Sequence, residues 1–152
     1  MRNSTIVPFF VDTNVLVYAR DSSQGTKQER ANAWIRHLWE TADARVSVQV
    51  LQEYYVTVTK KLRPGLSPEE ARADIEDLIA WRPVESRPAL LDAAWTIEDR
   101  FEISFWDALI VAAAHEAGCS HLLTEDLSTG MDFDGVRVVD PFVSDVGSLP
   151  AG

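Results

Sequence analysis

The pattern that most constrains this chain is a set of short apolar runs, each isolated between long helical stretches. Residues 6–11, Ile6-Val7-Pro8-Phe9-Phe10-Val11, are apolar at every position. A strand with one wet face would alternate, so an unbroken run reads as a strand covered on both faces. Pro8 has no N–H for a ladder and is tolerated only at the beginning of such a strand. Arg45-Val46-Ser47-Val48 reads as a second strand, His121-Leu122-Leu123 as a third and Val136-Arg137-Val138-Val139 as a fourth.

Helices with legible starts lie between them. Thr26-Lys27-Gln28-Glu29 reads as a capping box opening a helix to about residue 40. Ser67-Pro68-Glu69-Glu70 is a stronger start, with proline at the first helical position and acids in the first turn; that helix ends near Trp81. Residues 49–62 form another helix, closed by Arg63-Pro64-Gly65. Pro88 opens a helix to about residue 100, and Ser104 opens one that stops before Gly118. Strands separated by helices need crossovers, so the expected architecture is three-layer α/β: a central parallel sheet with helices on both faces. A length of 152 residues suits one domain, expected over residues 1–143, with small and polar residues 144–152 as a flexible tail.

Composition narrows the setting more than the function. A single cysteine, Cys119, excludes an intrachain disulfide and suits a reducing, cytoplasmic compartment. The first apolar run is too short for a signal-peptide core or a membrane span, so no membrane role is expected. Lys and Arg number 14 against 24 Asp and Glu, a net charge of −10. Taken alone, that balance disfavours phosphate binding, unless a divalent cation supplies the positive charge where the phosphate sits.

In open α/β sheets the ligand crevice lies beyond the carboxyl ends of the strands. Asp12 directly follows the first run, Asp126 follows the third by a short turn, Glu53 lies early in the helix after the second, and Asp107 sits in the first turn after Ser104. Carboxylate oxygens gathered there would repel one another unless protons or a hard cation intervened. Each acid also has a plain structural reading. Asp12-Thr13-Asn14 fits an Asx turn or helix cap, Asp107 the acidic half of a Ser104 capping box, Glu125-Asp126 a polar loop, and Glu53 a solvated helix position. Against these, Glu53 and Asp107 are flanked by large apolar residues, a setting in which acids are usually paired or metal-bound.

Four blocks carry a resemblance. Phe10-Val11-Asp12-Thr13-Asn14-Val15, Val50-Leu51-Gln52-Glu53-Tyr54, Ser104-Phe105-Trp106-Asp107-Ala108-Leu109-Ile110 and Leu122-Leu123-Thr124-Glu125-Asp126-Leu127 occur in that order. The chain resembles PIN-domain ribonucleases, in particular the VapC-type toxins of bacterial toxin–antitoxin pairs, from Phe9 to about Phe142. The resemblance implies a metal-dependent endoribonuclease. It implies that Asp12, Glu53, Asp107 and Asp126 hold Mg²⁺ or Mn²⁺, with Asn14 and Thr124 supporting the site. It also implies an RNA substrate such as tRNA, a cognate antitoxin and a homodimer.

Two other functions compete. An aspartate-dependent phosphatase would want a second aspartate two residues after Asp12, where Asn14 stands. A catalytically silent PIN-like binding module would not need the full acidic set. Arg20, Lys27, Lys60, Lys61 and Arg63 are the basic residues available to hold RNA, although a helix C-terminus alone would favour the last three. The tryptophans, at helical spacing among apolar residues, read mostly as core. Tyr54, Tyr55 and Val58 are candidates for contact with an antitoxin beside the acidic pocket.

Overall fold

The computed structural model describes residues 8–41 and 43–148. Strands β1 (Phe9–Val11), β2 (Ala44–Arg45), β3 (His121–Leu123), β4 (Asp132–Phe133) and β5 (Val136–Val139) form one sheet in the order β2-β1-β3-β5-β4. All neighbouring pairs are parallel except β4 with β5. Around it lie α1 (Thr13–Arg20), α2 (Gly25–Thr41), α3 (Val48–Val56), α4 (Pro68–Leu78), α5 (Pro88–Phe101) and α6 (Phe105–Glu116). This is the α/β architecture that the strand–helix alternation predicts.

The differences have local causes. The first strand spans Phe9–Val11, and Ile6 and Val7 of the expected run lie outside the described residues. Pro8 stands just ahead of it and contributes only its carbonyl, which accepts from the Ser120 and His121 amides at 3.1 and 3.4 Å. The second strand ends at Arg45 because Ser47 turns out of the sheet to cap α3, its hydroxyl accepting from Val50 N at 3.2 Å. Helix α1 follows from the helix-cap reading of Asp12, whose side chain accepts from Thr13 N. Thr26 opens no helix: Asp21 already caps a 3₁₀ turn at Ser22–Gln24, and α2 is under way by Gly25. The hairpin between β4 and β5 was also missed. Its two-residue loop, Asp134-Gly135, has both residues at positive φ (53° and 102°), the geometry an Asp-Gly pair favours. By contrast Ser67 and Glu70 form the complete capping box, with bonds of 3.0 and 3.1 Å.

The core explains the apolar runs. Phe10, Val11, Leu122 and Leu123 are enclosed on both faces of the sheet, and the small residues Ala108, Ala112 and Ala114 let α6 pack closely. Only two of the tryptophans are core. Trp34 and Trp81 are buried, whereas Trp39, Trp95 and Trp106 are 41%, 50% and 63% exposed, because helical spacing does not say how far the apolar face extends. Among the described residues of the expected tail, Ser144 and Asp145 are held to α2: Trp34 Nε1 donates to Ser144 O at 3.1 Å, and Arg30 pairs with Asp145 at 2.9 Å. Among the described residues no helix is long and apolar enough to cross a membrane.

Leu122 is fully enclosed in a central strand. Leu122→Ala is expected to lower the free energy of unfolding in urea by about 2–5 kcal/mol, while Ile79→Ser, at an exposed site, is expected to stay within about 0.5 kcal/mol of the parent. Equal effects would contradict this placement of the core.

Candidate active site

Parallel pairing of β1 with β3 sets Val11 opposite Leu123, so the residues that follow, Asp12 and Thr124, emerge together at the carboxyl edge. Asp12 N donates to Leu123 O at 3.0 Å, and the Thr124 hydroxyl donates to Asp12 Oδ2 at 2.8 Å. Asn14, in the first turn of α1, completes the junction. Its Nδ2 lies 3.1 Å from Thr124 Oγ1, 3.1 Å from Asp126 Oδ2 and 3.5 Å from Asp12 Oδ2. Its Oδ1 accepts from Glu125 N at 3.3 Å, and Asp126 N donates to Thr124 Oγ1 at 3.1 Å. One amide therefore faces two carboxylates carried on neighbouring strand ends.

Asp12 is buried and also caps α1, its Oδ1 accepting from Thr13 N at 2.7 Å. The cap reading and the site reading thus describe the same side chain. Burial pushes its carboxyl up to about 7; hydrogen bonds from Thr124 and Thr13 oppose this, and the nearby Asp126 and Glu53 charges add to it.

Glu53 reaches the same place from α3. Its Oε1 accepts from the Thr13 hydroxyl at 2.9 Å and its Oε2 from Gln49 Nε2 at 3.5 Å. It is exposed, contrary to the apolar setting its neighbours suggest. Consecutive helical residues point about 100° apart, so Val50, Leu51 and Tyr54 face the core while Glu53 faces out. Asp107 is half-buried at the start of α6, where Ser104 Oγ accepts from its backbone N–H at 3.1 Å. Burial raises its pKa, a hydrogen bond with Ser104 opposes this, and the Asp126 charge adds to it.

Asp12, Asp126 and Glu53 are therefore joined through Asn14 and Thr13, and Asp107 is coupled to them through the Asp126 charge. Among the described residues, no three His, Cys, Asp or Glu side chains form a set that could hold a metal ion as they stand. Thr13, Asn14, Glu53 and Asp126 border a groove of about 750 Å³, with Val56 and Lys61 also lining it.

The contact surface suggested around Tyr54, Tyr55 and Val58 needs correction. Tyr54 and Val58 are buried, and Tyr54 OH donates to Asp74 Oδ2 at 2.5 Å, an acid that Arg20 also grips with two nitrogens at 2.6 and 2.9 Å. The exposed apolar residue on that stretch is Val56. Sequence reasoning also missed Thr13 and Gln49, which orient Glu53. Thr13 could have been found had Asp12 been followed into a helix, since the first turn then faces the crevice.

The PIN-domain family model matches residues 9–129, and the chain belongs to that family. Solved structures share the fold at low identity. The chain in FitAB bound to a DNA fragment is 22% identical with a TM-score of 0.65, the match covering 88% of this chain and 95% of that one. A DNA-bound VapBC chain from Salmonella typhimurium is 19% identical at a TM-score of 0.61, over 90% and 99%. The VapC20 toxin of Mycobacterium tuberculosis, described as cleaving the sarcin-ricin loop, is 24% identical at 0.53, over 75% and 86%. No curated protein matches the chain.

The raised Asp12 carboxyl predicts how stability responds to pH. Between its ordinary value of 3.8 and about 7, the folded state holds a proton that the unfolded state has lost. Stability of the metal-free protein therefore falls as pH rises through that window, by up to about 4 kcal/mol from this group. Urea unfolding from pH 4.5 to 8 is expected to show the decline in the parent and a flatter profile in Asp12→Asn. Parallel profiles would contradict the burial of this acid.

Proposed function

We propose that this chain is a divalent-metal-dependent endoribonuclease, with Asp12, Glu53, Asp107 and Asp126 as its metal-binding carboxylates, and that it serves as the toxin of a toxin–antitoxin pair. The observation that carries the reading is the pair of carboxylates, Asp12 and Asp126, held on one Asn14 amide at the ends of adjacent parallel strands. All donors are hard oxygens, the type Mg²⁺ and Mn²⁺ select. A buried acid facing two further acids is also what an added cation would relieve. The residues therefore fit a divalent ion in the chemistry of their donors, and the exposed Glu53 and Asp126 would hold it together with Asp12 and Asp107.

In this reading Asp12 and Asp107 bind the ion most directly. Thr124 and Asn14 fix the Asp12 and Asp126 carboxylates, and Thr13 holds Glu53 towards them. The ion, when bound, supplies positive charge against the phosphate and lowers the pKa of an attacking water. Glu53 and Asp126 line the groove, where either carboxylate would be placed to accept a proton from such a water. Asn14 stands where an aspartate-dependent phosphatase would carry its second acid, and its amide is a donor that cannot take up a proton there. The retained acidic set favours an enzyme over a silent binding module.

The neighbours of similar fold described as VapBC, FitAB and toxin–antitoxin complexes support a cognate antitoxin as the silencing partner. A homodimer in the cytoplasm completes the proposal. RNA, tRNA included, is the proposed substrate.

Bulk RNA incubated with Mn²⁺ or Mg²⁺ is expected to be cut by the parent, and at a rate at least about 100-fold lower by Asp12→Asn and Asp107→Asn. Circular dichroism is expected to show both variants folded. Cutting that survives EDTA, or an Asp12→Asn variant of full activity, would overturn the reading.

An antitoxin that enters the acidic groove is expected to do so with an arginine, whose planar fork matches a carboxylate. Millimolar Mn²⁺ should then weaken a pull-down of the protein encoded by the neighbouring open reading frame. Binding indifferent both to Mn²⁺ and to loss of the four acids would place that contact elsewhere.

A further inference from the structure

Among the described residues the acidic groove has one lysine or arginine in its wall, Lys61, and the fold directs that residue there. The five basic residues that the sequence offers to RNA lie in or near α1, α2 and the end of α3, and the structure separates them by what holds them. Arg20 is engaged by Asp74, and Lys27 by Glu125 at 2.9 Å and Tyr18 OH at 3.3 Å. Arg63 turns back on its own helix end, donating to the Lys60 and Leu62 carbonyls at 3.2 and 3.0 Å. Lys60 is exposed and does not line the groove. Lys61 does line it, together with Glu53 and Asp126, and among the described residues no acid pairs with it.

Backbone geometry explains how Lys61 comes to share the groove with Glu53. Lys61 is eight residues beyond Glu53, which in an uninterrupted α-helix leaves it about 80° around the axis and about 12 Å along it. Here α3 widens into a π turn over Thr57–Lys61, closed by Leu62 N to Thr57 O at 2.9 Å. A turn closed at i+5 rotates less per residue, so it reduces that angle and swings Lys61 towards the groove. The following turn holds the helix end in place. Leu66 N donates to Val58 O at 2.9 Å, and a Cβ on Gly65 would sit 2.9 Å from both the Leu62 and Val58 carbonyls.

We propose that Lys61 is a phosphate-binding residue for the RNA strand. It contacts a phosphate flanking the one at the carboxylates, and so sets the strand's path along the groove. The inference rests on the nuclease reading, since it takes RNA as the ligand. Its chemistry is simple. An exposed ammonium with no acid within pairing distance is available to a polyanion brought in alongside a bound divalent ion.

The test separates binding from cutting. A fluorescein-labelled single-stranded RNA decamer is titrated with the protein in Ca²⁺, a hard cation for the same oxygen ligands, and anisotropy gives Kd over a range of salt. Cleavage of the same RNA is followed in Mg²⁺. Lys61→Ala is expected to raise Kd about fivefold and to reduce the slope of log K against log salt by about 0.7. Lys61→Arg should restore both, and Lys60→Ala should change neither. In the cleavage assay the loss should fall on KM and leave kcat unchanged. If Lys61→Ala binds as the parent does while the parent cuts RNA, the inference is overturned and the nuclease reading stands. RNA that binds in a Lys61-dependent way but is never cut would support the inference and overturn the nuclease reading. No binding by any variant would overturn both.

Discussion

The structure depends on one hydrogen bond between two strand ends, from the Thr124 hydroxyl to Asp12 Oδ2 at 2.8 Å. It exists because β1 and β3 are adjacent and in register, which puts an acid and a hydroxyl side by side at the carboxyl edge. Asp12 also caps α1, so the helix that carries Thr13 and Asn14 begins at the same point. From there Thr13 reaches Glu53 and Asn14 reaches Asp126. Sheet pairing, helix start and side-chain network share a single anion. That anion is unfavourable where it sits, since burial holds its carboxyl at about 7. A site built for packing alone would have placed a neutral side chain there.

The charge distribution bears on function in a second way. A net charge of −10 suits a protein that avoids polyanions, yet the proposed substrate is one. Several of the basic residues are neutralised locally: Arg20 by Asp74, Lys27 by Glu125, Arg87 by Glu116, Arg100 by Asp134 and Arg137 by Asp132. With acids outnumbering bases by ten, little general attraction for RNA is left. Discrimination then falls on a divalent ion at the carboxylates and on a cation at the groove, Lys61. Affinity built on so few contacts is local, and its salt dependence is correspondingly shallow.

The legible parts of the fold and site were those written in contiguous residues. The runs ending at Val11 and Leu123 announced buried strands, and Ser67-Pro68-Glu69-Glu70 announced a helix start, because each pattern is complete within a few positions. The four acids could be singled out because each follows such an element. What stayed hidden depended on geometry between elements. β4 is two residues long and carries no periodicity, although Asp134-Gly135 is a hairpin signal in its own right. The exposure of Glu53 depended on which way α3 rolls against the sheet, and apolar neighbours in sequence misled there. The same roll buried Tyr54 and Val58, which looked available for a partner. The π turn that redirects Lys61 has no sequence mark at all, and only the backbone shows it.

The central claim is that the carboxylates at the β1 and β3 ends form a divalent-ion site. Mn²⁺ binding to the metal-free protein, followed by electron paramagnetic resonance of the free ion, tests it most directly and needs no substrate. The account predicts saturable binding by the parent, and binding weakened at least about tenfold in Asp12→Asn and in Asp126→Asn, since removing a ligand or its support costs that much. Glu69→Gln, on the exposed first turn of α4, should bind as the parent does. Equal affinity in all four proteins would contradict the account, because the ion would then sit somewhere other than the junction that organises this fold.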